Sequence, residues 1–187
     1  RIAILLTRSV RRLHQAGLAH TDLSNNNVLI SPKDGNCIII DIDSLVVPNM
    51  FPPEVIGTRG YIAPEVLATL SLDYRDPRRR RPSTQTDLYA LGVLLYEYLF
   101  FRHPLLGPKV HSTVSAGEND FLALGPKAVF VEDPDDSSNR PTNLAVTIKD
   151  VGPFLESLFL QLFVNGLHDP QARPSALEWE RALAKTW

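Results

Sequence analysis

The stretch from Thr84 to Phe100 constrains this chain most. Leu88, Ala90, Leu91, Val93, Leu94, Leu95 and Leu99 leave almost no polar side on the helix they predict. A helix that is apolar nearly all round lies inside a domain, so the other segments must pack around it. Thr84-Gln85-Thr86-Asp87 has the form of a capping box at its start, with Asp in place of the usual Glu or Gln.

The remaining helical segments are one-sided. Ile2, Leu5, Leu6, Val10 and Leu13 recur at near-helical spacing with Arg8, Arg11 and Arg12 between them, which predicts an amphipathic helix over residues 2–16 with Gly17 as its C-cap. Val151 to Val164 predicts another, ended by Asn165-Gly166. Ser175-Ala176-Leu177-Glu178 is a capping box opening a last helix towards Trp187. Two short apolar runs, Val28–Ile30 and Cys37–Ile40, flank Asp34-Gly35, a strong hairpin signal. The expected fold class is therefore mainly α (α+β), helical with a short β-hairpin, in one domain over 1–187 without repeats. Residues 101–150 read as an elaborated insertion. His103-Pro104-Leu105 and Gly107-Pro108 mark turns, and Glu132 to Pro141 forms an acidic, breaker-rich loop. His103 and His111 have no partner at metal-ligand spacing and read as ordinary loop residues.

Composition narrows the classes. With 187 residues, 44% apolar and 21% charged, the chain can bury a core. A net charge of -2 gives no global pull towards nucleic acid or anionic membrane. Cys37 is the single cysteine, so an internal disulfide is excluded and a reducing, cytoplasmic setting is expected. Its place in an apolar run predicts a core thiol rather than a reactive one. No apolar run reaches membrane-spanning length, and no signal peptide is visible. The chain opens on Arg1-Ile2-Ala3 without Met or a helix cap, as if cut inside a helix. Arg75 to Pro82 is a basic run, read as a solvated loop or as a docking patch for an acidic substrate or partner; nucleic acid is not expected there, since aromatic residues are not interleaved.

The chemistry-bearing residues surround the hairpin. His20-Thr21-Asp22-Leu23-Ser24-Asn25-Asn26-Asn27 precedes its first run, and Asp41 follows its second. Asp22 can accept a proton from an attacking hydroxyl, and Asn27 can coordinate a metal held against phosphates. The hairpin brings Asn27 and Asp41 side by side, where they can share one cation. Asn and Asp are also ordinary turn residues, and flanking a hairpin would account for them as well.

These residues resemble the H-R-D-L-x-x-x-N and D-F-G motifs of the protein kinase family. Gly57-Thr58-Arg59-Gly60-Tyr61-Ile62-Ala63-Pro64-Glu65 resembles its G-T-x-x-Y-x-A-P-E. Asp169-Pro170-Gln171-Ala172-Arg173-Pro174-Ser175 resembles its D-P-x-x-R-P-[ST], and Asp87-Leu88-Tyr89-Ala90-Leu91-Gly92 its D-x-W-S-x-G. The resemblance covers nearly the whole chain and matches only the larger, helical lobe of a divergent, bacterial-type Ser/Thr protein kinase. The smaller lobe, with its glycine-rich loop and lysine, is absent. Such a lobe implies ATP and Mg²⁺ as cofactors, a protein substrate, and a missing lobe or further domains supplied elsewhere. It also implies roles: Asp22 as base, Asn27 and Asp41 as metal ligands, and Thr58 and Ser24 at the acceptor site. Asp87 braces the catalytic loop, Glu65 pairs with Arg173, and His20 is a packing residue, with metal ligation or acid–base work as its alternative. Two unrelated exposed charges are the alternative for Glu65 and Arg173. Three departures stand out. Thr21 replaces the Arg that receives an activating phosphate, Ser24 replaces a phosphate-holding Lys, and Asp-Ile-Asp replaces Asp-Phe-Gly. The expected function is phosphoryl transfer from ATP to protein Ser/Thr hydroxyls. The alternatives are a pseudokinase or scaffold lobe and a small-molecule phosphotransferase.

Overall fold

The computed structural model describes residues 1–48, 50, 56–110 and 122–186. His111, Trp187 and most of the Pro-rich stretch between Met50 and Ile56 lie outside the described residues.

The apolar helix, α3 (Thr84–Phe100), occupies the centre; every residue from Thr86 to Tyr96 is buried. Its capping box falls one residue earlier than the spacing suggests. Ser83 Oγ accepts the Gln85 N–H at 3.3 Å, and Thr86 Oγ1 accepts the Ser83 N–H at 2.8 Å. The physical reason is that Asp87, the residue expected to close the box, spends its carboxylate elsewhere. Phe101, at φ 54, ends the helix in the left-handed region.

The other helices are α1 (Ile2–Gln15), the one-turn α2 (Pro64–Leu67), α4 (Pro153–Leu160) and α5 (Ala176–Thr186); α1 packs on α3, α4 meets α3 through Phe159 and Tyr96, and α5 packs on α1 and α4. Gly17 follows α1 at φ 75, as a left-handed residue just past a helix end should. The segment expected as one helix from Val151 to Val164 is divided. A 3₁₀ turn over Ile148–Val151 precedes Gly152 at φ 88, Pro153 opens α4 from its first position, and a π turn over Gln161–Asn165 closes it. Glycine at positive φ breaks the run, and proline can only start a new one. Ser175 and Glu178 cap α5 as expected: the Glu178 carboxylate accepts the Ser175 N–H at 2.7 Å, and Ser175 Oγ accepts the Glu178 N–H at 3.3 Å.

The core between α3, α4 and α5 is aromatic. Tyr96 packs edge-on against Phe130, Phe159 and Phe163, and Phe159 meets Trp179 at 4.9 Å between ring centres. Such pairs add about 0.5–1.5 kcal/mol beyond area burial. Glu132, at the start of the acidic, breaker-rich loop, is buried. Its carboxylate accepts from Tyr96 Oη, Arg102 Nη2 and the Ile148 N–H. Asn139, also buried, donates to the carbonyls of Leu105 and Val129. The described part of 101–150 is thus pinned to α3 by polar side chains.

The two strands β1 (Val28–Ile30) and β2 (Cys37–Ile39) pair antiparallel with Val28 opposite Ile39 and Leu29 opposite Ile38. Cys37 is half-buried, and burial raises its thiol pKa.

Gly92 marks the closest approach inside the core. A Cβ there would stand 1.8 Å from Leu162 Cδ2, and Leu162 is fully buried. We expect Gly92→Ala to cost about 1–3 kcal/mol by overpacking. Gly92→Ala combined with Leu162→Ala should cost less than the sum of the two single changes. Urea unfolding of all three variants checks this.

Candidate active site

Asp87 sets the site. It lies in the first turn of α3 at 2% exposure. Its Oδ2 accepts the His20 N–H at 2.8 Å and its Oδ1 the Thr21 N–H at 3.2 Å. His14 Nε2, from the last turn of α1, is 3.0 Å from Oδ2. These bonds hold Thr21 at φ 58, a conformation that costs a β-branched residue about 1–3 kcal/mol. The Thr21 hydroxyl donates to the Ser44 carbonyl at 2.9 Å and ties the loop to the segment after Asp41. His20 is buried. Its Nε2 donates to the Ile40 carbonyl at 2.8 Å, while its Nδ1 is buried without a partner.

The turn at Thr21 presents Asp22. Asp22 Oδ1 accepts the Thr58 N–H at 2.6 Å and the Thr58 hydroxyl at 2.8 Å. Asn27 Nδ2 donates to the Asp22 carbonyl at 2.8 Å and to Asp22 Oδ2 at 3.1 Å. Asn27 ends a 3₁₀ turn over Asn25–Asn27, directly before β1. With Nδ2 engaged, Oδ1 is its free ligand atom. A small cavity of about 10 Å³, room for about one water, lies between Asp22, Thr58 and α3. Gly57 closes in on the loop at φ 119, and a Cβ there would stand 3.2 Å from the Thr21 carbonyl oxygen.

Asp41 follows the other strand. The Ile40 N–H donates to the Asn27 carbonyl at 2.9 Å, so Asp41 directly follows the residue paired with Asn27. Asp41 adopts φ 64, is exposed, and accepts the Ser44 hydroxyl at 3.1 Å. Among the described residues no three His, Cys, Asp or Glu side chains cluster to hold a metal. What Asn27 and Asp41 offer is two hard oxygens at one end of the hairpin. That donor set suits Mg²⁺, which is bound through one or two protein oxygens with phosphates and waters completing its shell. Ser24 is fully buried, and its Oγ has no hydrogen-bond partner.

The segment leading from Thr58 into α2 is held at its far end by Glu65 and Arg173. Arg173 Nη1 and Nη2 donate to the two Glu65 oxygens at 2.8 and 2.7 Å. Arg173 also donates to the carbonyls of Gly166 and Gln85 and lies over the Tyr89 ring at 5.5 Å. Four of the five N–H donors of the guanidinium fork are used.

Three contacts here lie outside the sequence reading. His14 is one. Tyr61 donates to Glu97 of α3, and burial raises the Tyr61 pKa. His103, read as a loop residue, donates from Nε2 to the Gly60 carbonyl at 3.0 Å and accepts the Leu105 N–H at Nδ1. Burial lowers its pKa below the ordinary 6.5, against the opposing pull of the Gly60 carbonyl and Glu97.

The protein kinase domain family matches this chain over residues 1–187, so the chain belongs to the protein kinase family. It is 34% identical over 105 residues to the serine/threonine-protein kinase WNG2 of Toxoplasma gondii, covering 56% of this chain and 18% of that protein. It is 34% identical over 96 residues to the serine/threonine-protein kinase PSK1 of Saccharomyces cerevisiae, covering 51% of this chain and 6% of that one. It is 31% identical over 121 residues to the serine/threonine-protein kinase PknD of Chlamydia felis, covering 54% and 12%. The chain thus spans less than a fifth of the length of each of these relatives.

Two outcomes follow. Arg173→Ala leaves Glu65 without its partner and should lower unfolding free energy by about 3–5 kcal/mol, measured by chemical denaturation. His103 is the second. Its folded pKa is lowered, so its contribution is complete above pH 6.5 and is lost as pH falls through 6.5 towards the folded value. Tm should drop over that window, and His103→Gln should flatten it. Arg8 and Arg11 lower the Glu180 pKa against the opposing effect of burial, so the loss from that carboxylate falls in a separate, more acidic window.

Proposed function

We propose that this chain is the catalytic, larger lobe of a Ser/Thr protein kinase, transferring the ATP γ-phosphate to a protein hydroxyl. The observation that carries the reading is the Asp22–Thr58–Asn27 cluster, in which one carboxylate is gripped from both sides. Asp22 orients the acceptor hydroxyl and takes its proton as the oxygen attacks phosphorus. Thr58 fixes the Asp22 rotamer through two hydrogen bonds and borders the acceptor position. Asn27 and Asp41 would hold Mg²⁺. When bound, the metal neutralises phosphate charge as the transfer proceeds. Ser24, expected at the acceptor site, is instead fully buried, so its side chain does not reach an acceptor and no positive charge is supplied from that position. That absence weakens transition-state stabilisation. His20 and Asp87, with His14, hold the loop in its strained turn, and Glu65–Arg173 holds the segment that receives the substrate.

A second lobe completes this machinery. Leu29, Ile38 and Ile42 are 56%, 64% and 73% exposed, and Leu29 faces Ile38 across the hairpin beside Asp41. Large contiguous apolar surface of this kind marks an interaction site, which supports a further lobe or chain covering it.

The test is γ-phosphate transfer from Mg-ATP to Ser/Thr peptides by the longest natural protein containing this chain. Asp22→Asn should reduce transfer by about 10²–10⁴-fold, and Asp41→Asn should abolish Mg-dependent nucleotide binding. Absence of both transfer and nucleotide binding in the unaltered protein would establish the scaffold reading instead. Transfer to small alcohols but not to peptides would establish a small-molecule phosphotransferase.

A further inference from the structure

The basic run between α2 and α3 is exposed at Arg75, Arg78, Arg80 and Arg81, yet several of its side chains are held by hydrogen bonds and ring contacts. Asp76 is consumed by Arg78, which grips it through Nε and Nη2 at 3.1 and 2.8 Å, and Asp73 caps the Arg75 N–H. Arg79, Arg80 and Arg81 have no carboxylate partner among the described residues. Two of them are nevertheless fixed in place. Arg79 donates to the Leu72 carbonyl at 2.6 Å and Arg81 to the Tyr74 carbonyl at 3.0 Å. Their guanidiniums lie 5.9 and 5.1 Å from the centre of the same Tyr74 ring, within cation–π range. Gathering two cations on one ring without a counter-charge is electrostatically unfavourable. An anion bound between them relieves that cost, and the ordering entropy has already been met.

These arginines line a groove of about 950 Å³. Its other walls are the start of α3 at Ser83, the turn at Asp169, and Glu65 at the end of the segment that begins at Thr58. The start of a 17-residue helix adds a positive end to the same surface. The acids that face the groove are largely occupied: Glu65 with Arg173, Asp76 with Arg78, while exposed Asp169 caps the Gln171 N–H. The groove is far larger than a single phosphate, and Glu65 at the end of the segment from Thr58 lines it.

We propose that this groove docks an acidic segment of the protein substrate, with Arg79, Arg80 and Arg81 contacting its carboxylates. Only the description of that partner as a substrate rests on the kinase reading; the binding itself does not.

The test uses the full natural protein and a fluorescent Asp/Glu-rich peptide without Ser, Thr or Tyr, against its Asn/Gln counterpart. The acidic peptide should bind, the neutral one should not, and affinity should fall steeply between about 50 and about 500 mM salt. Arg79→Ser/Arg80→Ser/Arg81→Ser should weaken binding at least about tenfold. Arg80→Glu is the second variant; the exposed Arg80 side chain makes no hydrogen bond, ion pair or ring contact among the described residues, only its N–H being held by Thr69, so a loss there is not a folding defect. Equal binding by the unaltered protein and both variants, or equal binding of the neutral peptide, overturns the proposal. So does tighter binding of a single-stranded oligonucleotide than of the acidic peptide. Peptide binding without phosphate transfer would defeat the kinase reading and leave the docking groove standing. Transfer without peptide binding would do the reverse.

Discussion

The structure depends on one buried carboxylate. Asp87 is charged matter inside an apolar helix, and it is tolerated because everything around it donates. Two backbone N–H groups, an imidazole and the positive end of α3 converge on it. What it returns is conformation. A threonine does not enter the left-handed region on its own account, and Thr21 does so because its N–H is held from beneath and its hydroxyl from the side. Asp22 points where it does because of that turn. The site geometry thus descends from the hydrophobic core, through a single residue of the most buried helix.

A second charge works at the other end. Arg173 satisfies Glu65 and two carbonyls while its plane rests on Tyr89. Gly166 makes room for it, since a Cβ there would stand 2.9 Å from the Arg173 side chain. The segment from Thr58 to Glu65 is therefore clamped at both ends by side chains from distant parts of the chain. Between the clamps, His103 and Tyr61 fasten its middle to the region at and beyond the end of α3. Such cross-linking fixes the path of the segment along its length.

Much of this was legible in the sequence, and the failures share a cause. The buried helix, the hairpin and the α5 capping box are local patterns, set by spacings the backbone imposes. The Glu65–Arg173 pair was legible through family motifs rather than through local physics. His14, His103 and Glu132 each have a partner 30 or more residues away, and nothing in their own neighbourhood announces it. His14 had one signal. It continues the stripe of Ala3, Thr7 and Val10 on the inner face of α1, where a polar residue requires a buried partner. The capping box slipped by one residue because Asp87 was assigned two roles and can serve only one. The division at Gly152-Pro153 was written in the sequence, but apolar periodicity across it concealed the break.

The clasp between the first and last helices sets an order of events. Arg8 and Arg11 of α1 both grip Glu180 of α5, across 172 and 169 residues of chain. Contacts of such separation are slow to form, because the loop between them must be closed first. The two arginines share one carboxylate, so a change that removes α5 leaves two cations of α1 unpaired at once, although the apolar side of α1 still meets β2 and α3.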